Sequence, residues 1–261
     1  MRSIGINLFA VKNIELQEYI NILADLGINY VFAVERPIDT MVKIADMLAA
    51  KGLAFETVHA PYKGCNSMWL DDDEGDAFEK VLLHSIDSCV AVNAKISVVH
   101  VLSGTEPPAI SELGLARFTR LVDYAAGKGV NIAFENTRLP ERLTHMLDYF
   151  ADAENVGFCF DSGHELAFTP GADILGTHVS RLLCTHLHDN DGSADQHILP
   201  FDGVIDFERI ARIIKESGYK GCLMLEAMKG EKPIYENVSD YEFLERAATA
   251  VKRIRQMVDG E

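Results

Sequence analysis

Val130-Asn-Ile-Ala-Phe-Glu135 alternates residue by residue. Asn131, Ala133 and Glu135 share one side while Ile132 and Phe134 share the other, which is the period of a β-strand. Just before it, Gly129 ends a helical pattern over residues 110–128, as a C-terminal glycine does. The same two-faced pattern returns in Gly157-Phe-Cys-Phe-Asp161 and in Cys222-Leu-Met-Leu-Glu226. Each time the bulky apolar face suits packing on helices. The face with smaller or polar groups suits the inside of a closed barrel.

Outward from these segments, apolar runs of strand length alternate with helical patterns along the chain. Strands are expected over residues 3–8, 28–35, 53–59, 95–102, 130–135, 156–161, 181–188 and 221–227. Helices are expected over 14–26, 40–51, 74–91, 110–128, 139–151, 173–179, 207–217 and 240–258, with Gly27, Gly52, Gly129 and Gly218 as stops. Eight strands each followed by a helix, in a chain of 261 residues, predict an α/β fold, a (β/α)8 TIM barrel. The rival, a doubly wound open sheet, usually carries a glycine-rich first turn, and Asn7-Leu-Phe-Ala-Val-Lys-Asn13 is not one. No linker or low-complexity tract divides the chain, so residues 1–261 read as a single domain.

Composition narrows the function. Apolar residues make up 48% and charged residues 25%, as in ordinary globular chains. No apolar run approaches the ~20 residues of a spanning helix, and no basic start leads into an apolar segment. Five cysteines, an odd number without CxxC spacing, suit buried thiols in a reduced cytoplasmic protein. The formal charge of −16 disfavours nucleic acid, whose binding draws on Lys and Arg contacts to phosphate.

Barrel active sites are built at the C-terminal ends of the strands. Strand 2 ends in Glu35, strand 3 in His59-Ala-Pro-Tyr62, and strand 4 offers His100. Strand 5 ends in Glu135, strand 6 in Asp161-Ser-Gly-His164, and strand 8 in Glu226. Strand 7 runs into Cys184-Thr-His-Leu-His-Asp-Asn-Asp-Gly-Ser-Ala-Asp-Gln-His197, where His186 and His188 share a side and Asp195 and His197 follow in the loop. Of nine histidines, only His84, His145 and His178 fall in helical patterns. A buried carboxylate without a partner costs several kcal/mol or gives up its charge, so carboxylates converging with imidazoles call for a cation.

These strand ends resemble those of the xylose isomerase-like TIM-barrel superfamily, and the resemblance spans the chain. It implies a metal-dependent isomerase or epimerase acting on a sugar or sugar phosphate. In single-metal sugar epimerases of this group a Glu, an Asp, a His and a Glu from strands 5 to 8 hold the metal. That implies Glu135, Asp161, His186 and Glu226. His186 is preferred to His188 because the family's ligand histidine precedes a run like Leu187-His-Asp-Asn190. The endonuclease IV-like branch carries more ligands, and its pattern finds counterparts in His59, His100, His164, Asp195 and His197. It implies the alternative activity, a multi-zinc phosphodiesterase on abasic DNA. The cofactor is thus a divalent metal (Zn, Mn, Co or Mg), one to three ions, and homo-oligomers are common in the group.

By the same resemblance Glu135 and Glu226 are the acid–base pair, removing and returning a proton beside a carbonyl through an enediolate. Substrate contacts are expected of Glu35, which faces inward by alternation, and of Tyr62 and His188. Arg138 and Lys229, three residues beyond the two glutamates, would meet a phosphate or sugar hydroxyl. Phe9, Tyr62, Trp69 and Phe168 fall in strand-to-helix loops as pocket walls or as packing.

Overall fold

The computed structural model describes residues 1–260. Eight strands form one parallel sheet: β1 (Ile4–Asn7), β2 (Tyr30–Val34), β3 (Ala54–His59), β4 (Ile96–Val99), β5 (Asn131–Glu135), β6 (Val156–Asp161), β7 (Leu182–His186) and β8 (Leu223–Leu225). Their order is β7-β6-β5-β4-β3-β2-β1-β8. The ends of that order meet as well, because Leu187 donates its N–H to the Met224 carbonyl at 2.8 Å and Glu226 donates to the Leu187 carbonyl at 3.0 Å. The result is the expected TIM barrel.

Helices α1 (Leu16–Asp25), α2 (Ile38–Ala49), α3 (Asp73–Ala91), α4 (Glu112–Lys128) and α5 (Pro140–Tyr149) follow the first five strands. Then come α6 (Ser162–Phe168), α7 (Ile174–His178), α8 (Phe207–Ser217) and α9 (Asp240–Asp259). Gly27, Gly52, Gly129 and Gly218 all hold positive φ past their helices, a conformation that glycine adopts without steric cost. Several strands are shorter than their apolar runs. Residues 100–102 stay buried or half-buried, for example, but leave the ladder, and the Val101 carbonyl accepts the Trp69 indole N–H at 2.9 Å instead. Helix α6 was not expected. Seven residues containing Ser-Gly-His carry too weak a periodic signal, and the helix is started by the Asp161 carboxylate accepting the His164 N–H at 2.6 Å.

The two faces of each strand separate as expected. Ile132, Phe134, Phe158, Phe160, Leu223 and Leu225 belong to the large core beneath the helices. Ala133, Cys159 and Cys184 form an inner layer with Ile96 and Val98, and Cys222 and Met224 form another with Phe32. All five cysteines are buried free thiols. Among the described residues no helix is long and apolar enough to cross a membrane.

Two irregularities set which side chains reach the mouth. Between β2 and β3 the pairing passes from Val31–Phe55 to Phe32–Thr57, leaving Glu56 as an extra residue. Phe55 and Val58, three apart, therefore both face the helices, and His59 turns inward. Between β6 and β7 the pairing passes from Phe158–Leu182 to Cys159–Cys184, so Leu183 is the extra residue and His186 shares the inward side of Cys184.

The bulged Glu56 reaches across the barrel floor, where its Oε1 accepts the Cys222 N–H at 3.1 Å while Oε2 is buried without a partner. Burial pushes its carboxyl up to about 7, against the lowering influence of that hydrogen bond. The folded chain therefore binds a proton that an unfolded glutamate, titrating near 4.5, has released, so this contribution to stability is lost as pH rises from about 4.5 to about 7. Glu56→Gln is expected to remove that slope, gaining up to about 3 kcal/mol on the wild type between pH 5 and pH 8. Urea midpoints at the two pH values measure it.

Candidate active site

Glu135, at the end of β5, is gripped from three sides. Its Oε1 meets His186 Nδ1 at 2.8 Å, and its Oε2 meets His59 Nε2 at 3.1 Å and His100 Nε2 at 2.5 Å. His186 Nδ1 also lies 3.3 Å from Glu226 Oε2, so one imidazole joins the carboxylates of β5 and β8. Phe32 stacks on His186 at 4.5 Å between ring centres. Asp161 not only caps α6 but also holds His188 Nε2 at 3.0 and 3.1 Å from its two oxygens. Asp195 Oδ2 stands 3.1 Å from His197 Nε2 and 3.4 Å from His164 Nε2, while the His197 ring stacks on His188 at 4.0 Å.

Electrostatics follow from this packing. Burial works against charge on Glu135, yet His186 and His100 hold it well below the usual carboxylate range. Glu226 is lowered in the same way against burial, chiefly by His186. Burial disfavours protonated His164 and His197, but Asp161 and Asp195 push the first up to about 10, and Asp195 with Glu226 the second up to about 9. His100, in contrast, is lowered by burial, which outweighs Glu135.

Four overlapping groups in this cluster have the chemistry of cation sites, among them His59 with Glu135 and His186, and His188 with His197 and Glu226. One ligand atom each from Glu135, Asp161, His186 and Glu226 lie within 4.8 Å of one another, as do those of His164, Asp195 and His197. Three carboxylates around a single imidazole make an anionic set, and protonated histidines are what balance it in the protein alone. A divalent cation would supply that charge and release those protons, so the donors fit a metal.

Above the cluster opens a cavity of about 870 Å³, within the range of small-molecule sites. Tyr62 lies in its wall, stacked on His100 at 5.1 Å. Phe168, on α6, lines it too, its ring stacked on His164 at 4.9 Å between centres and the Arg138 guanidinium carbon 3.7 Å from the Phe168 ring centre.

Four residues expected here are elsewhere. Glu35 points outward, onto His84 Nδ1 and Ser88 of α3, because Phe32 and Val34 occupy the inward positions of β2. Lys229 is bound to Asp240 at 2.6 Å, at the start of α9. Trp69 packs on Phe118 in the core, and Phe9 lies under the Arg36 guanidinium. The first two are corrections to the expected substrate contacts; for the two aromatics, packing is the outcome.

Three positioning residues escaped sequence reading. Asn136 and Asp161 exchange two hydrogen bonds, the Asn136 amide donating to the Asp161 carbonyl at 2.8 Å and accepting its N–H at 2.7 Å, which locks β5 to β6. The Ser162 hydroxyl donates to the His188 carbonyl at 2.6 Å and accepts its N–H at 3.0 Å. Asp189, fully buried, accepts N–H groups from Phe201, Gly203 and Ile205 and so folds the long loop after β7. Their only signal was polarity next to apolar runs, which loops share.

A side chain on Gly163 would overlap the His188 imidazole. Gly163→Ala is therefore expected to displace His188 from Asp161 and to weaken cation binding by about 10- to 100-fold, read by zinc or cobalt titration calorimetry.

Comparison with known proteins agrees with this architecture. An uncharacterised protein of Sinorhizobium fredii is 29% identical over 193 residues, 69% of this chain and 60% of that protein, so the chain spans about three fifths of its length. An inosose dehydratase of Geobacillus thermodenitrificans is 28% identical over 147 residues, 47% of this chain and 48% of that one. The D-psicose 3-epimerase of Clostridium cellulolyticum, solved with D-tagatose, superposes with a TM-score of 0.80 over 99% of both chains at 14% identity, which is a likeness of fold. Residues 20–247 match the family profile described as a xylose isomerase-like TIM barrel, and the chain belongs to that family.

Proposed function

We propose that the protein is a metal-dependent isomerase or epimerase of a small sugar or sugar derivative, moving a proton at the carbon beside a carbonyl. The observation that carries this is the placement of Glu135 and Glu226. They come from the ends of β5 and β8, three strands apart in the barrel, converge on a shared imidazole, and both line the cavity. The dehydratase and epimerase named above support a polyol or ketose as the type of substrate.

Glu135, Asp161, His186 and Glu226 would hold the metal, which when bound would stabilise negative charge on substrate oxygens as a Lewis acid. The protein's own groups do the rest. Glu226, whose side chain is 13% exposed against 1% for Glu135, is the more open of the two carboxylates and takes the proton from one face. Glu135, kept ionised by its imidazoles, serves the other face, each step worth about 10²–10⁴ in rate. Tyr62 and Phe168 wall the cavity and exclude water from the carbanion.

One observation favours a second reading. His164, Asp195 and His197 form a further donor group, as a multi-zinc phosphodiesterase would require. The net charge of −16 opposes binding of DNA.

Incubation of the metal-loaded protein with a ketose and aldose panel in deuterium oxide is expected to place solvent deuterium beside the carbonyl of a substrate. Glu226→Gln is expected to slow that exchange at least about 100-fold. No exchange with any sugar would sink the proposal. Metal analysis without chelator is expected to find about one ion per chain, reduced in Glu226→Gln. Two or three zinc ions, together with incision of an abasic duplex, would install the phosphodiesterase reading in its place.

A further inference from the structure

Arg138 is the one Lys or Arg among the residues that line the cavity. Its guanidinium lies flat enough over Phe168 to sit 3.7 Å from the ring centre, and no carboxylate or carbonyl of the described residues engages it. Arg36, just past β2, is stacked on Phe9 in the same way but does not line the cavity, whereas several arginines of the outer helices are committed. Arg117 is bound to the Leu70 carbonyl and to Asp76, Arg209 to Glu165, and Arg246 to Asp202. Stacking occupies the face of a guanidinium and leaves its edge free, and the edge carries five N–H donors in a fork that matches the two oxygens of a carboxylate or phosphate.

The position is as telling as the freedom. Phe168 touches both the Arg138 guanidinium and the His164 ring, so the guanidinium stands one phenyl contact away from the candidate metal cluster, in the wall of the same cavity. Glu135, Glu226 and Arg138 line one cavity, so a single ligand bound at the two glutamates shares its space with this edge. Thr137, beside Arg138, and Ser103 and Thr105, in the loop after β4, also line the cavity and offer hydroxyl groups there. In a chain with 40 acidic and 24 basic residues, a neutral sugar requires no cation at that point, whereas an anionic one does.

We infer that Arg138, held on Phe168, selects substrates bearing an anionic group, a phosphate or a carboxylate, at the end remote from the reacting carbon. This rests on the proposed function and names its substrate class as acidic sugars or sugar phosphates.

The test is binding of non-reacting polyols to the metal-loaded protein by calorimetry, with sorbitol as the neutral ligand and sorbitol 6-phosphate and gluconate as the anionic pair. None has the carbonyl that the reaction acts on, so the readout is independent of turnover, and failure of the deuterium-exchange experiment would leave it intact. The wild type is expected to bind at least one anionic ligand about tenfold or more tightly than sorbitol. Whichever of the two is tighter identifies phosphate or carboxylate as the group recognised. Arg138→Met, whose unbranched chain still covers Phe168, is expected to bring the ratio of affinities to within about twofold. Arg138→Lys, with charge but no fork, is expected to give an intermediate ratio. A wild-type ratio near one, or a ratio that Arg138→Met leaves unchanged, overturns the inference.

Discussion

The structure depends on the cost of placing the carboxyl groups of Glu135, Asp161 and Glu226 together at the dry end of a barrel. Each carboxylate stands at or just past the end of a mostly apolar strand, so water cannot solvate it fully. The imidazoles of His59, His100, His186 and His188 provide the compensation, each aimed at a carboxylate oxygen within about hydrogen-bond distance. Such a network is stable only when complete, because removal of one partner leaves a buried charge behind. The same arrangement of imidazole and carboxylate groups is the donor set a divalent cation would require.

Aiming those groups is the work of the barrel. Strand alternation places a residue inward at every second position, and the two bulges reset that count where it would otherwise miss. Without the extra residue at Glu56, His59 would share the outward side of Phe55. Behind the donors stand Asn136, Ser162 and Asp189, which bind backbone rather than ligand and tie the ends of β5, β6 and β7 to one another. Gly163 completes the arrangement by leaving room for His188.

The scaffold supports many chemistries by variation in the loops above its strands. Here those loops carry aromatic walls, a guanidinium free at the cavity wall and a second group of histidine and aspartate donors, on a protein that is acidic as a whole. The charge balance separates the site's own needs from those of the surface. A net charge of −16 disfavours anionic ligands at long range, so any anion-binding capacity has to come from local cations such as Arg138 at the cavity wall.

Local periodicity along the chain accounts for the barrel and for which residues stand at its mouth. Alternation in residues 130–135, 157–161 and 222–226 fixes which face is inward, and glycines after the helices mark the repeats. The histidines and carboxylates were legible because polar groups ending apolar strands have few other reasons to be there. Tertiary structure decided what local pattern cannot carry. Glu35 faces outward because the register of β2 is set by Phe32 packing against His186, not by its own neighbours in sequence. Lys229 is paired with Asp240, Trp69 is drawn into the core, and Arg138 is left free over Phe168. In each case the deciding partner is distant along the chain or lies in another loop, and only folding brings the two together.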